Sequence, residues 1–230
     1  MLHVYAILDS KPSNQDLNTL GISSLRIVEA SGLYALVSTA NPQTEPTELA
    51  IAALEHNGVI EKALTFCSLL PARFTAPLEE NVVVKKLSGN LEAYKTALEG
   101  VRNALEFALR AEVPAEKLEA VRSDTSSGRA YLESRRAQFK QEHQTRSKLE
   151  AIAASFELRL GSFALEVLHC FEPNVYRGSY LVRRDNLEVF KNAFQSSLKT
   201  FQTDPVQLSL HGPFAPYSFA TIEPLTEGEL

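Results

Sequence analysis

Histidine and cysteine are the residue types here that could carry nucleophilic, acid–base or metal chemistry, and their spacing argues against all three. The five histidines, His3, His56, His143, His169 and His211, are scattered singly. None forms an HxxxH or HExxH pair that would set two imidazoles on one helical face. Cys67 and Cys170 are far apart in sequence, so they read as neither a disulfide framework nor a zinc-ligand pair. They read instead as reduced, mostly buried thiols of a cytosolic protein. Cys67 and His56 fall on one expected helix, but their separation is about three turns, roughly 16 Å along the axis, and they cannot touch. His169 and Cys170 are neighbours on an expected strand, where adjacent side chains point to opposite faces.

His56 has two readings. It is either a pH switch or ligand, or a core-edge histidine whose ring donates to a nearby carbonyl; the second is favoured because the sequence offers no second ligand. The carboxylates of Glu79-Glu80, Glu116, Glu119, Glu227 and Glu229 sit in polar, solvated contexts. The glycines form no GxGxxG or GxxxxGK[ST] loop, and no GxSxG elbow is present. The sequence therefore predicts no catalytic residue, no metal site and no cofactor, and it points to a protein that works by binding other proteins.

Composition narrows the partners. In 230 residues, 44% are hydrophobic and 22% charged, the balance of an ordinary globular chain with room for two domains. The net charge of -5 argues against a broad electrostatic hold on nucleic acid or on an anionic lipid membrane. No apolar run approaches the roughly 20 residues that cross a bilayer. The apolar start, Leu2 to Leu8, lacks a preceding basic segment and reads as a buried strand rather than a signal peptide.

Several elements are expected to position these residues. Val4–Leu8 reads as a strand, and Leu25–Glu29 with Leu33–Val37 as a hairpin turning at Ser31-Gly32. A helix from about Thr47 places Leu49, Ala53, His56, Ile60, Leu64 and Cys67 on one stripe, with Gly58 inside it at a cost of roughly 1 kcal/mol relative to alanine. Leu69–Phe74 reads as a short strand, and Glu79–Gly100 as one helical stretch. Leu105, Phe107, Leu109, Ala111 and Val113 alternate as in a half-buried strand. Ser123–Ser127 offers N-caps for a long helix from near Gly128. Its second half carries Leu149, Ile152, Phe156, Leu160 and Phe163 on one stripe, whereas between Glu133 and Lys148 the only hydrophobic residues are Ala137 and Phe139. Strands near Glu166–Phe171 and Ser179–Arg183, a helix with Leu187, Phe190, Phe194, Leu198 and Phe201, and a strand at Val206–Leu210 complete the order. Gly212-Pro213 is expected to stop that last strand.

The fold class expected is α+β in two domains: an N-terminal α+β domain over 1–80, and a ferredoxin-like βαββαβ domain over 81–212 with an extended helical crossover. Residues 213–230 form a tail expected to pack between the domains, with Tyr217 and Phe219 as anchors. Arg177-Gly178-Ser179-Tyr180-Leu181-Val182 has a faint likeness to an RNA-binding strand, but that use needs exposed aromatics with basic neighbours. Arg73, in Pro71-Ala72-Arg73-Phe74, is expected to make a structural ion pair.

Three segments together resemble a known family. They are His56-Asn57-(x2)-Ile60-(x2)-Ala63-Leu64 running on to Leu69-Leu70-Pro71-Ala72-Arg73-Phe74; Ser127-Gly128-Arg129-Ala130-Tyr131-Leu132; and Leu208-Ser209-Leu210-His211-Gly212-Pro213-Phe214-Ala215-Pro216-Tyr217-Ser218-Phe219. In this order and spacing the chain resembles the gas vesicle protein F/L family over nearly its whole length, and the last segment is the most specific. It departs from the family pattern at Phe214, Ala215 and Thr75, where members often carry Trp, Pro and Gly. The resemblance implies a minor structural or accessory protein of gas vesicles, in the cytoplasm, that binds the hydrophobic shell subunit and other accessory proteins and assists nucleation or assembly of the wall. The partner-contact candidates are Arg135, Arg136, Phe139 and Lys140, on a half-helix polar nearly all round. His56, Arg73, Phe74, Tyr217 and Phe219 are the structural candidates. The competing reading is a ferredoxin-like regulatory domain that binds a small molecule.

Overall fold

The computed structural model describes residues 1–40, 46–114, 128–201 and 206–220. The chain divides into two compact units, Met1–Glu106 with the chain from Pro213 onward, and Phe107–Gly212. Glu116, Glu119, Glu227, Glu229 and the expected N-caps Ser123–Ser127 lie outside the described residues.

The first unit builds a sheet from β1 (Leu2–Leu8), β2 (Arg26–Ala30), β3 (Leu33–Thr39) and β4 (Leu69–Pro71), with α1 (Asn14–Thr19) before β2 and α2 (Pro46–Ala63) before β4. The strand order is β2-β3-β1-β4, and each pairing is antiparallel. The apolar run of β1 makes it a central strand, buried along most of its length. The β2–β3 hairpin turns at Ser31 and Gly32, whose φ values of 54° and 81° give the twist that suits a tight antiparallel connection. Helix α1 was not expected. It is set by a reciprocal cap, in which Asp16 N–H donates to Ser13 Oγ at 3.2 Å and Ser13 N–H donates to the Asp16 carboxylate at 2.9 Å.

The expected single helix over 79–100 is two: α3 (Glu80–Gly89) and α4 (Leu91–Gly100). At Asn90 the backbone leaves the helical region (φ -116°, ψ 26°), and its N–H closes onto the Lys86 carbonyl. The Asn90 side-chain amide donates to the same carbonyl at 3.2 Å. Asparagine after glycine terminates the first helix in this way.

The second unit is built on most of β5 (Ala104–Glu112), α5 (Gly128–Leu160), β6 (Ala164–Glu172), β7 (Val175–Arg183), α6 (Leu187–Leu198) and most of β8 (Gln207–Phe214). Its strand order is β6-β7-β5-β8, which matches the expected ferredoxin-like arrangement. Numbered within each unit, both sheets read 2-3-1-4 and both units run βαββαβ. The N-terminal repeat of this topology escaped the sequence reading because α1 spans six residues and β4 three. β8 does not stop at Gly212-Pro213; it runs on to Phe214. Gly212 sits at φ 123°, and proline is tolerated because β8 is an edge strand, where its missing N–H breaks no ladder.

The core of the second unit joins Phe107, Leu109 and Ala111 of β5 to Leu149, Ile152, Phe156 and Leu160 of α5, with Tyr176 and Tyr180 of β7 and Phe190 and Phe194 of α6. The glycine of the RNA-like run belongs to this packing. A Cβ at Gly178 would collide with the Tyr176 hydroxyl and come within 3.0 Å of Tyr180 Cε2. Tyr176 and Tyr180 are fully buried, so they are not stacking platforms for bases. Gly178→Ala is therefore expected to lower stability by about 1–3 kcal/mol. Gly58→Ala, in α2 where an added Cβ meets nothing within 4 Å, is expected to raise it by about 0.5–1 kcal/mol. Denaturant midpoints of the two variants check both signs.

Candidate functional site

Among the described residues no three His, Cys, Asp or Glu side chains gather to hold a metal ion, and no helix is long and apolar enough to cross a membrane. Cys67 is half-buried, with Sγ 3.3 Å from the Ala63 carbonyl. Cys170 is exposed rather than buried as expected, because it lies on an edge strand and opposite to His169. The His169 ring faces α5 and the core: Nδ1 lies 2.9 Å from the Tyr176 hydroxyl, and Nε2 is 3.6 Å from Glu157.

In the first unit His56 meets a partner that no local spacing could reveal. Its Nδ1 lies 2.7 Å from His3 Nε2, and its own Nε2 lies 2.8 Å from the Ala72 carbonyl oxygen. A carbonyl only accepts, so Nε2 of His56 carries the proton and its bare Nδ1 accepts from His3 Nε2–H. Both nitrogens of His56 are thus occupied within the fold. Tyr5 and Phe74 close the cluster: the Tyr5 ring stacks on His56 with centroids 5.2 Å apart, and Phe74 meets it edge-on at 5.7 Å. The Tyr5 hydroxyl is 3.1 Å from Ser38 Oγ. Burial, reinforced by the nearby His56, pulls the His3 pKa down to about 4. Burial lowers His56 also, against a smaller opposing pull from its bond to Ala72. Both imidazoles are neutral at pH 7.

Arg73, two residues beyond β4, is exposed. The expected ion pair is not among those formed by the described residues.

The residues following β8 also belong to the first unit. Ala215 and Phe219 are buried. The Tyr217 hydroxyl donates to Asn57 Oδ1 at 3.0 Å, and burial, helped by the negative charge of Glu61, pushes its pKa up to about 12. Ser218 grips the buried Glu106 carboxylate twice, through its backbone N–H at 2.8 Å and its hydroxyl at 2.6 Å. Ala220 N–H returns to the Pro216 carbonyl, which closes the Pro-Tyr-Ser-Phe segment into a helical turn.

In the second unit the four partner-contact candidates lie in the first half of α5, where every residue from 131 to 140 is exposed. Arg135 donates to Gln138 at 2.9 Å, Gln138 donates to Glu142 at 2.9 Å, and the Arg135 guanidinium lies 5.1 Å from the Phe139 ring centre. Arg135 and Lys140 are about 140° apart around a helix of 3.6 residues per turn, so the four do not form one face. Arg136 and Lys140 lie one turn apart on one side. Of the exposed apolar residues Tyr131 (62% exposed), Leu132 (59%) and Phe139 (60%), Tyr131 continues the side that α5 buries further along, and Leu132 and Phe139 lie about a quarter turn from it. Sequence reasoning passed over Tyr131 and Leu132 as contact residues; their position next to a polar stretch was the available signal.

A family profile described as gas vesicle synthesis protein GvpL/GvpF matches residues 1–221 of this chain. Among solved structures, the chain is similar to the gas vesicle protein GvpF from Anabaena sp. PCC7120, at 19% identity and a TM-score of 0.76 with 99% of each chain covered. It is similar also to GvpF from Microcystis aeruginosa, at 17% identity and a TM-score of 0.71, covering 96% of this chain and 99% of that one. At these identities the likeness concerns the fold. No curated protein sequence matches the chain.

Two outcomes follow from the geometry of the first unit. The unfolded chain protonates His3 near its ordinary 6.5, whereas the folded chain does so near 4. Stability contributed by the neutral pair is complete above about pH 6.5 and falls as pH drops towards 4. His3→Gln, which keeps a donor for His56, should flatten the decline in melting temperature between pH 7 and 5; an unchanged slope would count against the pair. Separately, Ser218→Ala removes a hydroxyl from a buried carboxylate and is expected to cost about 1.5–3 kcal/mol, more than the roughly 1 kcal/mol expected of Tyr217→Phe. Urea unfolding of the two variants gives the ranking.

Proposed function

The chain belongs to the gas vesicle GvpL/GvpF family, and from that premise we propose that it binds the hydrophobic shell subunit of the vesicle and assists nucleation or assembly of the wall, without catalysing a reaction. Family membership itself ties the protein to gas vesicles and to other gas vesicle proteins. The observation that supports a shell-binding role is the first half of α5. It holds Tyr131, Leu132 and Phe139 more than half in solvent, interleaved with Arg135, Arg136 and Lys140. Large apolar groups held in water at this density mark contact surfaces, and aromatic and arginine side chains are the residue types that dominate binding energy in interfaces. The helix is secured at its other end, so the exposed groups are presented on a rigid rod and little ordering entropy opposes binding.

The same half-helix offers a partner both apolar contact and positive charge. Arg136 and Lys140 sit on the side facing away from the core stripe, and Phe139 is positioned partly under the Arg135 guanidinium. A hydrophobic subunit would engage the apolar side, while the cations fix orientation and accelerate encounter. The chain's own net charge is -5, so this basic stretch stands out against an acidic remainder.

Replacing Arg135, Arg136 and Lys140 together by glutamate is expected to reduce recovery of shell protein in a pull-down at least about tenfold, with the circular dichroism spectrum unchanged. Phe139→Ala in the same assay should weaken recovery without altering its salt dependence. Full recovery of shell protein by the folded charge-reversed protein would sink the assignment of α5 as the contact.

A further inference from the structure

We propose that two copies of this chain join edge to edge through β6, as an antiparallel pair centred on Leu168. β6 is the outermost strand of the order β6-β7-β5-β8 and pairs with β7 on one side only. All nine of its residues are exposed or half-buried. Open edges of this length are normally blunted by lysine, proline, short length or irregularity, because their free N–H and C=O groups template further pairing. The other described edges are blunted in this way. β8 carries Gly212-Pro213, and β4 and β2 have only three and five residues against the nine of β6. β6, with the sequence ALEVLHCFE, contains no lysine, arginine, proline or glycine, and its one register shift lies at its start, between Ala164 and Glu166. It presents Leu165 (45% exposed) and Leu168 (37%) to solvent.

The choice of a second copy as occupant comes from the charge pattern of the strand itself. About a two-fold axis at Leu168, each Leu168 faces Leu168 of the other copy, Val167 faces His169, Glu166 faces Cys170, and Glu172 faces Ala164. No carboxylate meets a carboxylate. Centred instead on His169, Glu166 would face Glu172, and like charges directly opposite are destabilising. Centring on Val167 leaves Phe171 and Glu172 beyond the end of the partner strand. The Leu168 register pairs the regular run from Glu166 to Cys170 with itself and leaves the register shift outside it, joins leucine to leucine at its centre, and keeps the helices of both copies on one face of a continuous sheet. This association is independent of the shell-binding reading, because β6 shares no residue with the exposed half of α5.

Sedimentation of the full chain tests the proposal. The wild-type protein should be a dimer at micromolar concentration, and Leu168→Lys should raise its dissociation constant at least about tenfold with the melting temperature retained. Register is tested in a Cys170→Ser background. Leu168→Cys should cross-link two copies on mild oxidation, since residues directly opposite have Cβ atoms about 5 Å apart. Glu166→Cys, displaced from its own counterpart, should not. A monomeric wild type, or equal cross-linking at both positions, would overturn the proposal. A monomeric wild type whose Leu168→Lys variant loses another gas vesicle protein from a pull-down would assign the edge to a foreign strand and likewise overturn self-pairing.

Discussion

Phe156 of α5 stacks on both Phe194 and Phe201, with ring centroids 5.8 and 5.1 Å apart, and Phe107 of β5 meets Phe190 at 5.1 Å. This aromatic layer pins the second half of a 33-residue helix to the sheet. The floor beneath it is made by Tyr176 and Tyr180, which close over Gly178 because glycine alone leaves them room. Once Leu149, Ile152, Phe156 and Leu160 are seated, the helix has no freedom to choose its direction. Residues 131–140, all exposed, then extend the helix by roughly 15 Å at 1.5 Å per residue. Arg146 marks the transition, with its guanidinium 4.1 Å from the Phe171 ring centre.

The first unit solves a different problem, burying polar groups without leaving them unpaired. Two imidazoles, a tyrosine hydroxyl, a serine and a carboxylate lie in or near its core. The His3–His56–Ala72 chain uses each proton once and fixes both tautomers. Glu106 is held by the two donors of Ser218. An apolar substitute for any one member would strand its partner, which is the costly way to disturb a buried network. The Pro-Tyr-Ser-Phe segment is thereby a working part of the first unit, although the strand that leads into it belongs largely to the second.

How much of this was legible in the sequence depended on range. The second unit could be read because β5 and the later half of α5 carry their burial in a local period of two or of 3.6, because β8 alternates in its residue types, and because the strand order followed from the element order. The ferredoxin-like order of the first unit was hidden by α1, which has no buried residue and therefore no apolar stripe to betray it. The break at Asn90 had a local signal in Gly89-Asn90, a stop pair that the helical pattern on either side outweighed. The extension of β8 through Pro213 turned on its being an edge, a fact of the sheet and not of the segment. The histidine pair lay furthest from view: His3 and His56 are 53 residues apart, and nothing in either neighbourhood indicates that a strand and a helix will bring their rings together. Asn57 and Glu106 were equally silent about the tail, since each is an ordinary polar residue until the chain returns to it from 160 and 112 residues away.

The exposed half of α5 is the part of the structure that packing does not explain, and the family ties the protein as a whole to gas vesicles. Under the proposed shell-binding role, this stretch of helix with its solvent-held aromatic side chains is the surface that meets the vesicle. Amide hydrogen exchange along α5, with the full chain alone and with isolated gas vesicles, tests this most directly. The account predicts slower exchange across residues 129–146 on addition of vesicles, with 149–160 unchanged because the core already protects them. Equal exchange in both samples across 129–146, from a protein that nevertheless stays with the vesicles, would contradict it.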